Sequence, residues 1–108
     1  MIYEIREYTT VPGRMPALVT RFNDHTLGLF AKHAMEVVFL SLTELGANST
    51  NELVYVLRFD SYAEMAEKWA AFQADPEWRD ARGASEADGP IVASINRRVL
   101  SPAAFAAR

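Results

Sequence analysis

Two segments near the middle of the chain are apolar on both faces: Val37-Val-Phe-Leu-Ser-Leu42 and Leu53-Val-Tyr-Val-Leu57. A β-strand turns successive side chains to opposite sides, so a sheet with one wet face alternates apolar and polar residues. These segments do not alternate, and they demand cover on both sides. Helices of the same chain can cover one side. A chain of 108 residues makes one domain and holds no spare element for the other. The simplest second cover is another copy of the same sheet, packed face to face about a two-fold axis. A homodimer is therefore expected.

The rest of the chain supplies the helices. Ile2 to Thr10, rich in Ile, Tyr and Thr, reads as a strand ending at Pro12-Gly13. From Arg14 the period changes: Met15, Leu18, Phe22, His25 and Leu29 form one helical stripe that ends near Lys32-His33. Met35 to Leu45 and Leu53 to Phe59 are two strands joined by the polar turn 46–51. Ser61 and Glu64 have capping-box spacing and open a helix whose apolar face is Tyr62, Met65, Ala66, Trp69 and Phe72. Asp75-Pro76 starts another helical piece, running to about Ala87. Asp88-Gly89-Pro90 breaks the chain, and Ile91 to Leu100 is the last strand. The order predicts an α+β, ferredoxin-like βαββαβ fold: an antiparallel four-stranded sheet with its helices on one face. Residues 1–101 form the domain and 102–108 a C-terminal tail.

Composition removes several functions. The net charge is −3 and only two of eleven basic residues are Lys, which disfavours a nucleic-acid or anionic-membrane partner. Cysteine is absent, and with it disulfides, thiolate metal sites and thiol nucleophiles. The longest greasy run, Val37 to Thr43, is seven residues and cannot span a bilayer. With strand patterning from Ile2, the expectation is a cytoplasmic protein without a leader.

The segments Met1-Ile-Tyr-Glu-Ile-Arg-Glu-Tyr-Thr9, Pro12-Gly13, Lys32-His33, the strand from Met35, Val54-Tyr-Val-Leu-Arg-Phe-Asp-Ser61 and Asp75-Pro-Glu-Trp-Arg79 together resemble the NIPSNAP family. The resemblance covers nearly the whole chain. It implies a homodimeric α+β barrel related to cofactor-free monooxygenases, muconolactone isomerase-like proteins and haem-degrading barrels, and it implies no single reaction. One departure is Ala34, where the family leads one to expect Gly after Lys32-His33; a turn needing positive φ would be strained there.

His25 lies on the apolar stripe of the first helix and is expected to point at the sheet. There it would serve as general base, general acid or haem ligand, or as a packed core histidine. His33 is expected near solvent at the helix end. The two are about 12 Å apart along one helix, too far for one mononuclear metal ion, so no metal site is expected. Tyr55, Trp69 and Trp78 would wall a pocket for a flat apolar ligand, or simply pack a core. Glu4, Arg6 and Tyr8 share one face of the first strand, and Tyr3 and Ile5 the other. The apolar pair is expected to meet the helices, leaving the polar trio toward the barrel interior or the dimer interface, with Glu4 and Arg6 satisfying each other or Arg58 and Glu44. Arg6 and Arg58 are the candidate substrate anchors.

The leading reading is a small-molecule pocket between sheet and helices for an apolar or aromatic ligand. Its chemistry would need no cofactor: isomerisation, or oxidation of a substrate that forms its own carbanion, with His25 moving the proton. The alternatives are a haem-binding barrel and a non-catalytic dimeric scaffold.

Overall fold

The computed structural model describes residues 1–103; the expected tail lies outside them from residue 104 onward. Strand β1 spans Ile2–Thr10. A long helical segment follows in three parts: α1 (Met15–Arg21), one π-helical turn (Phe22–Thr26) and α2 (Leu27–Lys32). Then come β2 (Glu36–Leu42), β3 (Glu52–Phe59), α3 (Tyr62–Ala74), α4 (Pro76–Ser85) and β4 (Val92–Leu100). The four strands form one antiparallel sheet in the order β2-β3-β1-β4. This is the expected α+β, ferredoxin-like arrangement. Both crossovers pass over the same face of the sheet, where the buried side chains gather.

The helix ends follow their sequence signals. The Ser61 hydroxyl accepts the Glu64 amide at 3.1 Å, and the Asp75 carboxylate accepts the Glu77 amide at 2.9 Å with Pro76 in the first turn of α4. Helix α2 ends in a Schellman motif: the Met35 amide donates to the Phe30 carbonyl at 2.8 Å and the Ala34 amide to the Ala31 carbonyl at 3.1 Å. Ala34 has φ +54°, a left-handed conformation that glycine adopts at lower cost.

Between the helices and the sheet lies an aromatic core. Tyr8, Phe22, Phe30, Tyr55, Trp69, Phe72 and Trp78 contact one another in edge-on and tilted pairs with centroids 5.0 to 6.4 Å apart. Such pairs contribute about 0.5–1.5 kcal/mol each beyond the area they bury. Leu18, Leu53, Leu57, Phe59 and Ile91 complete the buried layer.

Three expectations are corrected. Strand β1 presents the opposite face to the helices: Ile2, Glu4, Tyr8 and Thr10 are buried beneath them, and Tyr3 and Ile5 lie half-buried on the open face. The reason is that Glu4 finds full satisfaction on the helix side, from Trp69, Arg6 and Arg97. Strand β2 is shorter than expected and bulges between Val37 and Phe39, which leaves Val38 44% exposed. Tyr62 sits in the first turn of α3 and is 63% exposed, not part of the apolar face that packs on the sheet.

The far face of the sheet carries Tyr3, Ile5, Val54, Val56 and Phe39, in register across three strands. Phe39 is 51% exposed. Charged pairs flank this apolar centre, Arg58 with Glu36 at 3.3 Å and Arg98 with Glu7 at 3.7 Å.

Candidate functional site

The π-helical turn decides which residues the first helical segment turns inward. In it the Leu27 amide donates to the Phe22 carbonyl, five residues back, so one turn holds an extra residue. The inward stripe becomes Leu18, Arg21, Phe22, Thr26, Leu29 and Phe30. His25 is displaced to the exposed side, where it lines an outer groove between α1 and α4 together with Pro16, Asp24 and Ala84. The expectation that His25 faces the sheet is thus overturned. Thr26 takes the inward position instead, and Arg21, which precedes the π turn, faces inward by regular spacing from Leu18 with only 5% of its surface exposed.

On the sheet side, Glu4 is completely buried and organises a polar cluster. One carboxylate oxygen accepts the Trp69 indole N–H at 2.6 Å. The other accepts Arg6 at 3.2 Å and also Arg97, which stands opposite Arg6 in the β1–β4 register. The Arg6 guanidinium stacks over Trp69 with 4.4 Å to the ring centroid and donates to the Tyr8 hydroxyl at 3.2 Å. The Tyr8 hydroxyl in turn lies 2.9 Å from that of Tyr55. Burial alone would weaken the hold of Arg6 on its proton, but Tyr55, Tyr8 and Glu4 outweigh it and the group stays firmly cationic. Burial pushes the Tyr55 phenol well above its ordinary range, so it remains a neutral hydroxyl.

This cluster opens to solvent along β4. A cleft of about 360 Å³ runs between the β4 edge and helices α3 and α4, lined by Arg6, Tyr8, Arg21, Gln73, Trp78, Arg82, Glu86 and residues 92–95. Beneath it lies a void of about 20 Å³, bounded by Arg6, Tyr8, Arg21, Tyr55, Trp69, Phe72 and Trp78 among others. Five residues line both, so the void is the floor of the cleft. Arg21 stacks over Trp78 at 5.3 Å and donates to the Ser85 hydroxyl at 3.3 Å, with Glu86 at 3.5 Å. Burial lowers its hold on its proton, against the opposing pull of Tyr8 and Glu86. The Nε atoms of both Arg6 and Arg21 are buried and have no hydrogen-bond acceptor among the described residues.

The structure therefore brings Arg6 and Trp78 together in the cleft, with Tyr55 and Trp69 at its floor. It separates two other candidates from them. His25 lies on the outer side of the helices, and Arg58 projects from the open sheet face toward Glu36. Arg58 sits one residue out of phase with the inward Leu57 and Phe59, and strand alternation sends it to the other side. Sequence reasoning missed Arg21, Arg82 and Glu86. For Arg21 a signal existed: it is three residues beyond Leu18 and adjacent to Phe22, inside the apolar stripe.

Neither histidine lines the cleft, so no imidazole is placed to ligate an iron in it. His33 is instead tied to Asp75 at 2.8 Å. Among the described residues no three His, Asp or Glu side chains converge on a possible metal position. No helix among them is long and apolar enough to cross a membrane.

Comparison with known proteins places these observations. The family model for NIPSNAP matches residues 3–107. The crystal structure of protein Atu4242 from Agrobacterium tumefaciens superposes with a TM-score of 0.83 at 30% identity, covering 97% of this chain and 96% of that one. An uncharacterized NIPSNAP domain protein from Burkholderia xenovorans gives 0.83 at 22% identity over the full length of both chains. At 12% identity the fold is also that of SnoaB, a cofactor-independent oxygenase from Streptomyces nogalater, with a TM-score of 0.62 and coverage of 99% and 97%. A search of the curated proteins returned no match.

Proposed function

The chain belongs to the NIPSNAP family, and we propose that it acts as a homodimeric pocket protein for a flat, enolisable small molecule bound in the cleft beside β4. The observation that carries this reading is the Arg6 guanidinium at the floor of an open, aromatic-walled cleft, with a buried Nε that no described residue satisfies. A buried donor left without a partner costs about 1–3 kcal/mol, and a ligand oxygen would recover it.

The chemistry that fits is proton transfer at carbon without a cofactor. When a C–H bond beside a carbonyl gives its proton to solvent water in the open cleft, the electron pair of that bond moves onto the carbonyl oxygen. A fixed cation and a neutral hydroxyl aimed at that oxygen stabilise the enolate more than the ketone. Arg6 supplies the cation and Tyr8, backed by Tyr55, the hydroxyl. The carboxylate in the lining, Glu86, is engaged by Arg21 and Arg82, so the site favours substrates whose C–H is already acidic. Delivery of a proton from water to a different carbon of the enolate would make the protein an isomerase. The oxygenase alternative draws support only from the fold shared with SnoaB. The second copy would seat on the open sheet face, over Ile5, Val54, Val56 and Phe39.

The test uses α-deuterated 2-tetralone in buffered water, followed by NMR. The protein is expected to speed loss of the label, and Arg6→Met to abolish the effect without loss of fold. No acceleration, together with no resonance shifts in the cleft, would overturn the reading.

A further inference from the structure

The charges around the cleft do not balance. Four guanidinium groups, of Arg6, Arg97, Arg21 and Arg82, are paired with only two carboxylates. Glu4 serves Arg6 and Arg97 through the same oxygen, and Glu86 likewise serves Arg21 and Arg82. Two positive charges are left over, in a chain whose net charge is −3. The exposed members of each pair, Arg97 at 44% and Arg82 at 58%, can be neutralised by water and counterions. Arg6 at 12% and Arg21 at 5% cannot. Their Nε atoms are buried and unpartnered, as is that of Arg14, and of these three arginines Arg6 and Arg21 line the cleft and its floor while Arg14 does not. A buried cation without a full share of counter-charge is costly, and a structure that keeps two of them facing one cleft is built to receive negative charge there.

We propose that the natural ligand is a planar carboxylate, its anionic group held by Arg21 within the cleft and its apolar ring laid along Trp78. This rests on the pocket reading and deepens it: Arg21 would neutralise the permanent charge of the ligand, and Arg6 the charge that develops on its enolate oxygen. A guanidinium is suited to the first task because its fork of N–H donors matches the two oxygens of a carboxylate. At about 360 Å³ the cleft lies at the small end of ligand sites, which fits a one- or two-ring acid.

Calorimetric titration with 2-naphthoate and with its neutral isostere 2-naphthamide tests this. The carboxylate is expected to bind at least about tenfold more tightly to the wild-type protein, the effect of one charge-assisted hydrogen bond. Glu86→Gln removes a competing anion, and should raise the affinity for naphthoate several-fold while leaving naphthamide unchanged. A merely structural Glu86 would not produce that difference. Arg21→Met should erase the preference for the acid; if that variant does not fold, the wild-type pair and Glu86→Gln still decide. Equal affinity for acid and amide, or a preference unmoved by Glu86→Gln, would overturn the carboxylate assignment. In that case label loss from 2-tetralone would still support the pocket. Failure of both ligands to bind and of the exchange assay would overturn the two together.

Discussion

His33 at the end of α2 and Asp75 at the start of α4 are joined by a 2.8 Å contact between Nε2 and Oδ2. The same carboxylate oxygen holds Lys32 at 2.8 Å, and the other oxygen caps α4 through the Glu77 amide. One side chain thus ties the first helical segment to the last helix, and the position of α4 sets the outer wall of the cleft. Lys32, His33 and the Glu77 amide hold the Asp75 carboxyl down at about 2, against an ordinary value of 3.8.

A depressed carboxyl stabilises the folded state where it is ionised. Its contribution is therefore complete above pH 3.8 and is lost as the pH falls toward about 2. The expected outcome is a melting temperature that falls with acid through this window, and falls less steeply in Asp75→Asn, which keeps a capping oxygen but no charge. Circular dichroism melts at half-unit pH steps check it; parallel curves would show that the ionic contacts of Asp75 add no stability.

Ala34 occupies the left-handed position of the Schellman motif at φ +54°. An L-residue with a Cβ pays roughly 1–2 kcal/mol there, partly offset by the greater freedom glycine loses on folding. Ala34→Gly is expected to stabilise the protein by about 1 kcal/mol in denaturant unfolding, with no change in cleft binding. A loss of stability would mean that the Ala34 methyl makes contacts worth more than the strain.

Ser61 caps α3 through the Glu64 amide, while the Glu64 carboxylate turns to Lys68 at 3.0 Å. Ser61→Ala is expected to destabilise by about 1 kcal/mol, with ligand affinity unchanged, because the cap lies at the exposed start of the helix. Equilibrium unfolding in urea measures it, and a neutral result would show that the cap is redundant.

The open sheet face predicts an assembly. Its apolar centre of Ile5, Val54, Val56 and Phe39 lies between the charged pairs of Arg58 with Glu36 and Arg98 with Glu7. A sheet-on-sheet contact is apolar and should bury more than about 1,200 Å² in total. Sedimentation at micromolar concentration is expected to give a dimer, and Phe39→Asp, at the exposed part of the patch, a monomer. A wild-type monomer would sink this expectation.

Much of the fold was legible because periodicity and caps are local. The change from period two to the helical period at Arg14, the cap at Ser61 and the Asp75-Pro76 start each depend on neighbours a few residues away. The strained Ala34 stands out only against the resemblance to the NIPSNAP family, which leads one to expect glycine after Lys32-His33. The candidate site was less legible because its geometry is set at long range. Glu4 faces the helices only because Trp69, 65 residues later, and Arg97, 93 residues later, converge on it. Nothing in the strand pattern of residues 2–10 announces those partners. The π-helical turn is equally silent: it needs no special residue, yet by adding one residue to a turn it exchanges His25 for Thr26 on the inner face.

That exchange yields a direct test of which side chain matters. His25 is the residue that plain helical spacing selects for acid–base chemistry; it lies in the outer groove beside Asp24 and does not line the cleft. Arg6 lines the cleft and its floor, over Trp69 and within hydrogen-bond reach of Tyr8. In the exchange assay with deuterated 2-tetralone, His25→Ala is expected to leave the rate unchanged. Arg6→Met is expected to lower it by roughly 10²-fold or more, the effect of removing one donor to a developing oxyanion. Because Arg6 also supports Glu4, the folded fraction of each variant must be matched by circular dichroism before rates are compared. The informative quantity is then the ratio of the two effects. A fold-intact Arg6→Met with full activity, or a His25→Ala with a hundredfold loss, would move the chemistry out of the cleft and into the groove between α1 and α4.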